Sequence, residues 1–406
     1  MKISNSEARE IVLRQQGLTG SNGSTIEVIN HLGYVQIDSI NVIERAHHHT
    51  LWSRCPHFRP PELEELHAKQ HVIFEYWAHA MSYLPMQDYR FALPIMQRFR
   101  EREDCREILA ANKQLAKEIR RRITAEGPLS AAEFDAPAGF SGGWWNRKPA
   151  KQVLEVLYWQ GELMISHRKN FRRYYELSER VLAQAAEKPD TSMPSCEETH
   201  RHHVTRVLRT LGVAGKAELL WFVKDKAAAT AALNAMIEEK EAVQLAIENI
   251  TEPWYALKSA VKKTMPARAA KKADLDELGR QIHILSPFDN MVIRRDFIKK
   301  IFAFDYVFEC YVPEAKRRFG YFSCPILAGT ELIGSIDAKA DRAHKELIVK
   351  NLHLADFPAN AAASKTLAGA LAGRIIEFAA FNGCARISME CRNRQAKAVE
   401  KQLKAR

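Results

Sequence analysis

The stretch "KPAKQVLEVLYWQGELMISHRKNFRRYYELSE", Lys148 to Glu179, carries the clearest structural message in the chain. Val153, Leu154, Val156, Leu157 and Trp159 form an apolar stripe at helical spacing, and Gly161 supplies the stop. "LMISHR" and "RRYYELS" are then two strand-like runs around the turn "KNF". Upstream, "NKQLAKEIRRRITAEGPLSAAEF" reads as a helix ended by a Gly-Pro turn. A new helix then starts at Ser130, where Ser-Ala-Ala-Glu has capping-box spacing. Helix, helix, helix, two-stranded hairpin is the order of a winged helix.

Working outward from this unit, the N-terminal segment gives helix, helix, strand. "SNSEAREIVLRQQG" opens with polar cap candidates and closes at Gly17, and "STIEVINHLG" is a second short helix closed by Gly33. The second feeds into "YVQIDSI", Tyr34 to Ile40, which alternates like a strand. "PPELEELHAKQ" reads as a helix, "HVIFEYWAHAMSYLP" as aromatic strand, and "MQDYRFALPIMQRFRER" as a helix broken near Pro94. Beyond the winged unit, "GVAGKAELLWFV" is a glycine-punctuated helix-turn-helix pattern. After about residue 275, "FAFDYVFECYVP", "RRFGYFSCPILAG", "TELIGSIDAKAD" and "KELIVKNLHLA" read as short strands. A late helix in "AAASKTLAGALAGRIIEFAAFNG" and a solvated basic tail, "NRQAKAVEKQLKAR", follow. The expected class is α+β, with tandem winged-helix units followed by a C-terminal antiparallel β-barrel-like domain. The borders run 1–107, 108–188, 189–272 and 273–406.

Bulk composition narrows the function. A chain of 406 residues with 46% hydrophobic and 27% charged content folds as several soluble domains. Its apolar runs fall short of the roughly 20 residues that cross a bilayer, and "MKISNSEARE" lacks the apolar core of a signal peptide. The seven cysteines are scattered and never spaced C-x-x-C, so a reduced cytoplasmic protein without structural zinc is expected. A net charge of +11 favours a polyanion, with nucleic acid first. GxGxxG, Walker A, GxSxG and HExxH patterns are absent, which removes nucleotide-fuelled, serine-hydrolase and zincin readings.

The positive charge clusters. Arg147, Lys148 and Lys151 open the presumed recognition helix, while Arg168, Lys169, Arg172 and Arg173 crowd the wing. Both are places where a winged helix meets phosphates, although any basic chain also needs a solvated positive face. Trp144 and Trp145 suit either base stacking or core packing. "KRRFG", with Arg317 and Arg318, is either a minor-groove loop or simply an exposed turn. The run His47 to His49 is too closely spaced for an i, i+4 metal pair, and "CEETHRHH" has no second cluster at zinc spacing. His79 reads as a half-buried, satisfied histidine.

The motifs "YVQIDSINVIER", "EYWAHAM", "GWWNRKPAKQVLEVLYWQGELMI", "RRYYELSERV", "LSPFDNMVIRRD" and "PEAKRRFGYFSCPIL" occur in order along nearly the whole chain. Together they resemble the AlkZ/AlkX (YcaQ) DNA glycosylases, in the YcaQ-like branch. The resemblance implies tandem winged helices around a β-barrel and a basic concave channel. It implies excision of alkylated purines and unhooking of interstrand crosslinks. The family's catalytic pattern of Gln, an apolar residue, then Gln or Asp falls on Gln36, Ile37 and Asp38. On a strand Gln36 and Asp38 would share one face, about 7 Å apart. N7-alkylguanine is already cationic in the DNA, so it departs without a general acid. Asp38 would then stabilise the oxocarbenium-like sugar and activate water, while Gln36 orients that water. Asn41 and Arg45, beside the site, suit a flanking phosphate or a helix cap and salt bridge. A lysine Schiff base, a cofactor and a metal are not called for. The expected partner is double-stranded DNA with alkylated or crosslinked purines, met by a cytoplasmic, nucleoid-associated monomer. The competing class is a non-enzymatic winged-helix regulator, which explains the charge but not the Gln–Asp pair.

Overall fold

The computed structural model describes residues 1–20, 23–135, 148–264, 282–355 and 360–406; Trp144, Trp145 and Arg147 lie outside them. The fold is mixed α+β, and the chain divides into two compact units. One joins Met1–Phe58 to His203–Arg406; the other is Arg59–His202.

In the Arg59–His202 unit the opening stretch folds as its pattern dictates. The helix Pro149–Trp159 starts with proline in its first turn and buries Val153, Leu154, Val156 and Leu157. Strands Leu163–Lys169 and Arg172–Leu177 pair antiparallel, with Lys169 opposite Arg172. Asn170 and Phe171 both hold positive φ, the condition for a two-residue turn that matches strand twist. The helices Glu103–Ala111 and Lys113–Glu126 precede this element. Ser130 forms its capping box with Glu133, but the box closes one short turn, Ala131–Glu133, rather than opening a long helix.

Two further expectations in this unit change. "HVIFEYWAHAMSYLP" is a hairpin, Ile73–Trp77 against Met81–Pro85, with His79 half-buried at its tip. Pro94 lies in the first turn of the helix Leu93–Glu101, where its missing N–H would have no partner anyway, so it starts a helix instead of breaking one.

The other unit opens with the helices Asn5–Gln15 and Thr25–Leu32, each closed at its N-terminus by a Ser–Glu capping box. Gly33 ends the second at φ +73, and a Cβ there would fall 2.6 Å from Arg206 Cδ. A four-stranded sheet forms from segments far apart in sequence. Lys2–Ile3 runs parallel to Ala242–Ile247, which pairs antiparallel with Trp254–Leu257, and Ala214–Gly215 completes the edge. "GVAGKAELLWFV" thus contributes a strand and one helical turn, Lys216–Leu219. The apolar core joins the first helix (Ile11, Val12, Leu13) to Trp254, Phe297, Ile301 and Leu327.

The C-terminal strands form a five-stranded half-barrel. Ile282–Ile284, Ser323–Ala328, Glu331–Asp341 and Glu346–Leu354 pair antiparallel in that order. Arg386–Met389 then adds in parallel to the last, a departure from the all-antiparallel expectation. It is parallel because the helix Ala361–Phe381 intervenes and returns the chain in the same direction. "FAFDYVFECYVP" is not a strand. It begins at the end of the helix Arg295–Phe302 and continues as a loop, anchored where the Tyr306 hydroxyl donates to Ser323 O. The basic tail is a helix, Arg394–Leu403, because Ala396 and Val399 recur on one buried face.

Candidate active site and DNA-facing surface

The Gln36–Asp38 segment begins where Gly33 turns the chain out of a helix. The strand it enters is only Val35–Gln36, shorter than the alternation suggested. Asp38 ends it: its Oδ1 accepts the Ile40 N–H at 2.8 Å, a local turn that competes with further pairing. Gln36 and Ile37 are both buried, whereas Asp38 is partly open to solvent. The regular strand stops at Gln36, so Gln36 and Asp38 do not repeat along one strand face; Gln36 is buried and Asp38 half-buried.

Burial raises the Asp38 pKa above its ordinary value, and the Ile40 N–H opposes that only in part. A carboxylate in this position is a stronger base than a fully solvated one.

The backbone around the pair is held from several directions. Ahead of Gln36, the Asn290 amide donates to Tyr34 O at 2.9 Å. Next to Asn290, Asp289 forms a buried ion pair with Arg54, Nη1 to Oδ2 at 2.6 Å and Nη2 to Oδ1 at 3.1 Å. Arg54 also donates to Gln16 O, Gln16 Oε1 and Thr50 O, so all five guanidinium N–H groups are used. Behind Asp38, Arg342 donates to Asn41 O and Asn41 Oδ1 at 2.9 Å each and to Ile43 O at 3.2 Å. Ala340 N donates to Val42 O, and Glu44 N to Asn382 Oδ1. The half-barrel and the late helix thus fix the loop beyond the carboxylate.

Asn41 is consequently engaged by an arginine from strand Glu331–Asp341 and its flank, and Arg45 stands at the N-cap of the helix Ala46–Trp52. The histidine run on that helix is structural: His48 pairs with Glu44 at 2.9 Å, and buried His49 donates to Ile284 O at 2.8 Å. Burial lowers the His49 pKa to about 4, which keeps it neutral.

The "KRRFG" loop lies in the same neighbourhood as Asp38. The Cys310 thiol lies in the fields of both Asp38 and Arg317, and Tyr311 is also reached by Asp38. Glu309 organises this loop. Its buried carboxylate accepts backbone N–H groups from Arg318, Phe319 and Gly320, at 2.6 to 3.1 Å. Burial alone would raise its pKa; those N–H groups win and hold it below the ordinary value. Gly320, at φ +119, leaves room for Asp337, whose oxygens take the Tyr321 and Phe322 N–H groups. Arg317 rests over Tyr321 and donates to Val312 O; exposed Arg318 lies over Phe319.

The cations of the other unit separate into two groups. Arg168 turns inward to Glu75, Nε to Oε1 and Nη2 to Oε2 both at 2.6 Å, with Glu75 fully enclosed. Lys148 directs its ammonium to the carbonyls of Ala131 and Phe134. Lys151, Lys169 and Arg172 face solvent, and Arg173 lies over Tyr158. Sequence pattern could not separate Arg168 from its neighbours, because its partner stands 93 positions away on another hairpin. Glu309, Asp289, Asn290 and Arg342 also escaped assignment, although "LSPFDN" and "KRRFG" drew notice as motifs.

Known proteins give a consistent answer. The model of the family described as DNA glycosylase AlkZ-like matches residues 29–381. Among solved structures, the chain is similar to the Streptomyces sahachiroi DNA glycosylase AlkZ. The TM-score is 0.61 at 14% identity, over 96% of this chain and all of that one. Among the described residues no helix is long and apolar enough to cross a membrane. A family match spanning most of the chain, on a fold shared from end to end, establishes that this chain belongs to the AlkZ-like family of DNA glycosylases.

Proposed function

We propose that this glycosylase is monofunctional and hydrolyses the N-glycosidic bond of N7-alkylated purines, with Asp38 and Gln36 at the reacting centre. The observation that carries the reading is the half-buried Asp38 carboxylate on a loop held by Arg342 and the half-barrel. Water adds to C1′ as the C1′–N9 bond breaks. The bonding pair neutralises the cationic purine, which leaves without protonation. Asp38 stabilises the positive sugar and accepts the proton from water; its raised pKa suits it to that role. Gln36, with donor and acceptor on one amide, orients the water.

The helices Glu103–Ala111, Lys113–Glu126 and Pro149–Trp159 with the Leu163–Leu177 hairpin are the proposed winged-helix module, and the described part of 189–272, up to residue 264, belongs to a further one. Lys151, Lys169, Arg172 and Arg173 bind phosphates from the former, as Arg317 and Arg318 do from the half-barrel unit. Arg168 contributes through Glu75 by shaping the hairpin. The enzyme works as a monomer in the cytoplasm, on duplex DNA. Because a crosslinked purine cannot leave the duplex freely, an open site that reads lesion charge also admits interstrand crosslinks.

Single-turnover release of N7-methylguanine from a defined duplex tests this, with affinity measured in parallel. Wild type should release the base. Asp38→Asn should release it about 10² to 10⁴ times more slowly at unchanged affinity, and Gln36→Ala should slow the same step. An Asp38→Asn enzyme with wild-type rates would remove this carboxylate from the chemistry.

A further inference from the structure

Tyr311 exposes 91% of its surface, more than any other large apolar side chain among the described residues. A ring exposed to this degree offers apolar area whose burial against a partner is favourable. The backbone that carries the ring is fixed. Tyr311 occupies the third position of a tight turn closed by the Val312 N–H to Glu309 O bond at 2.9 Å. The Glu309 side chain ties that turn to Arg318, Phe319 and Gly320, and Arg317 Nε donates to Val312 O at 2.8 Å. The backbone that carries the ring therefore has little ordering entropy left to lose when the ring meets a partner.

The surroundings say what that partner is. Arg317 and Arg318, on the same loop, supply positive charge for phosphates, and Asp38 lies close enough for its field to reach the ring. An aromatic face beside two cations matches a nucleobase and its backbone better than a peptide or lipid. We propose that Tyr311 is a base-stacking residue, set against the base adjacent to the sugar that Asp38 serves. This rests on the assignment of Asp38 to the reacting centre. Stacking is indifferent to base identity, so it would hold any damaged position open without dictating flanking sequence. It also suits a lesion that stays near the duplex: the ring enters the stack instead of the base leaving it.

A duplex containing a tetrahydrofuran abasic analogue with 2-aminopurine on its flank tests the assignment. Emission and affinity would be compared for wild type, Tyr311→Phe and Tyr311→Ala, with undamaged duplex as reference. Wild type and Tyr311→Phe should change the emission alike. Tyr311→Ala should lose that response and bind the damaged duplex about 5- to 150-fold more weakly, with little change on undamaged DNA. Because the side chain is exposed, the alanine variant should keep the wild-type melting temperature. Equal emission and affinity for Tyr311→Ala would overturn the assignment. Release of N7-methylguanine, followed in the same series, separates it from the reading it rests on. Release by wild type with an unaltered Tyr311→Ala response refutes stacking alone. A Tyr311-dependent response without release supports stacking and refutes the assigned chemistry.

Discussion

Replacing Asp289 with asparagine would remove one charge from the interior while keeping the shape of the side chain and the acceptor for the Met291 N–H. What remains is the Arg54 guanidinium, 1% exposed, with its carbonyl partners but no counter-charge. Stranding a buried ion in this way costs about 3 to 5 kcal/mol. For a unit of this size, about 2 to 4 °C per kcal/mol converts that into a melting point lowered by roughly 6 to 20 °C. Calorimetry and urea titration would both read it. Asn290 holds Tyr34 from the next position, so base release should slow as well, even well below the melting point. The double replacement Arg54→Met with Asp289→Leu removes both charges but leaves Gln16 O, Thr50 O and the Met291 N–H without these partners, so it should recover only part of the lost stability. A single variant within about 1 kcal/mol of wild type would show that the pair is not a staple of the fold.

The Asp38 carboxylate must be ionised to act, and burial raises its pKa. The acid limb of single-turnover release should therefore lie above the ordinary aspartate range, and a limb at or below pH 3.8 would contradict this. Burial also makes ionised Asp38 a burden on the fold at neutral pH, so Asp38→Asn should melt slightly higher than wild type. Glu75 is the opposite case. Burial would raise its pKa, but Arg168 outweighs burial and lowers it below 4.5. Its stabilisation is then complete above 4.5 and lost as pH falls through the depressed value. Glu75→Gln should be less stable at neutral pH and lose less on acidification, which melting curves against pH would detect. Arg342→Ala removes three hydrogen bonds from the loop behind Asp38; release should fall roughly 10- to 100-fold with only a small change in melting temperature. Release within twofold of wild type would mean the loop is held without it.

Local chemistry was legible wherever it is decided locally. The polar start and Gly17 stop of the first helix and the Gly33 stop of the second are such cases, and both helices form with those ends. The Asn170–Phe171 turn and the Pro149–Trp159 stripe are likewise determined within a dozen residues. Failures came where a short-range pattern has two tertiary outcomes. "FAFDYVFECYVP" alternates well enough for a strand, but becomes a loop pinned by Tyr306 and Glu309. The tail reads as solvated charge because five lysines and arginines dilute two buried positions, Ala396 and Val399. In each case the deciding partner lies outside the window in which periodicity is read.

The site divides along the same line. A motif could mark Gln36 and Asp38, yet nothing local to "YVQIDSI" says that the carboxylate stops the strand, or that Arg342 and Asn382 hold the loop from Asn41 to Glu44. Those contacts span some 300 positions and fix the loop that follows Asp38, a carboxylate partly withdrawn from water. That withdrawal is what raises its pKa, and a carboxylate left flexible on the surface would be a weaker base in a less defined place. The proposed catalytic pair is thus two residues in sequence but a property of the half-barrel in space. Substitutions far from Asp38 in the chain should tune it as effectively as its immediate neighbours do.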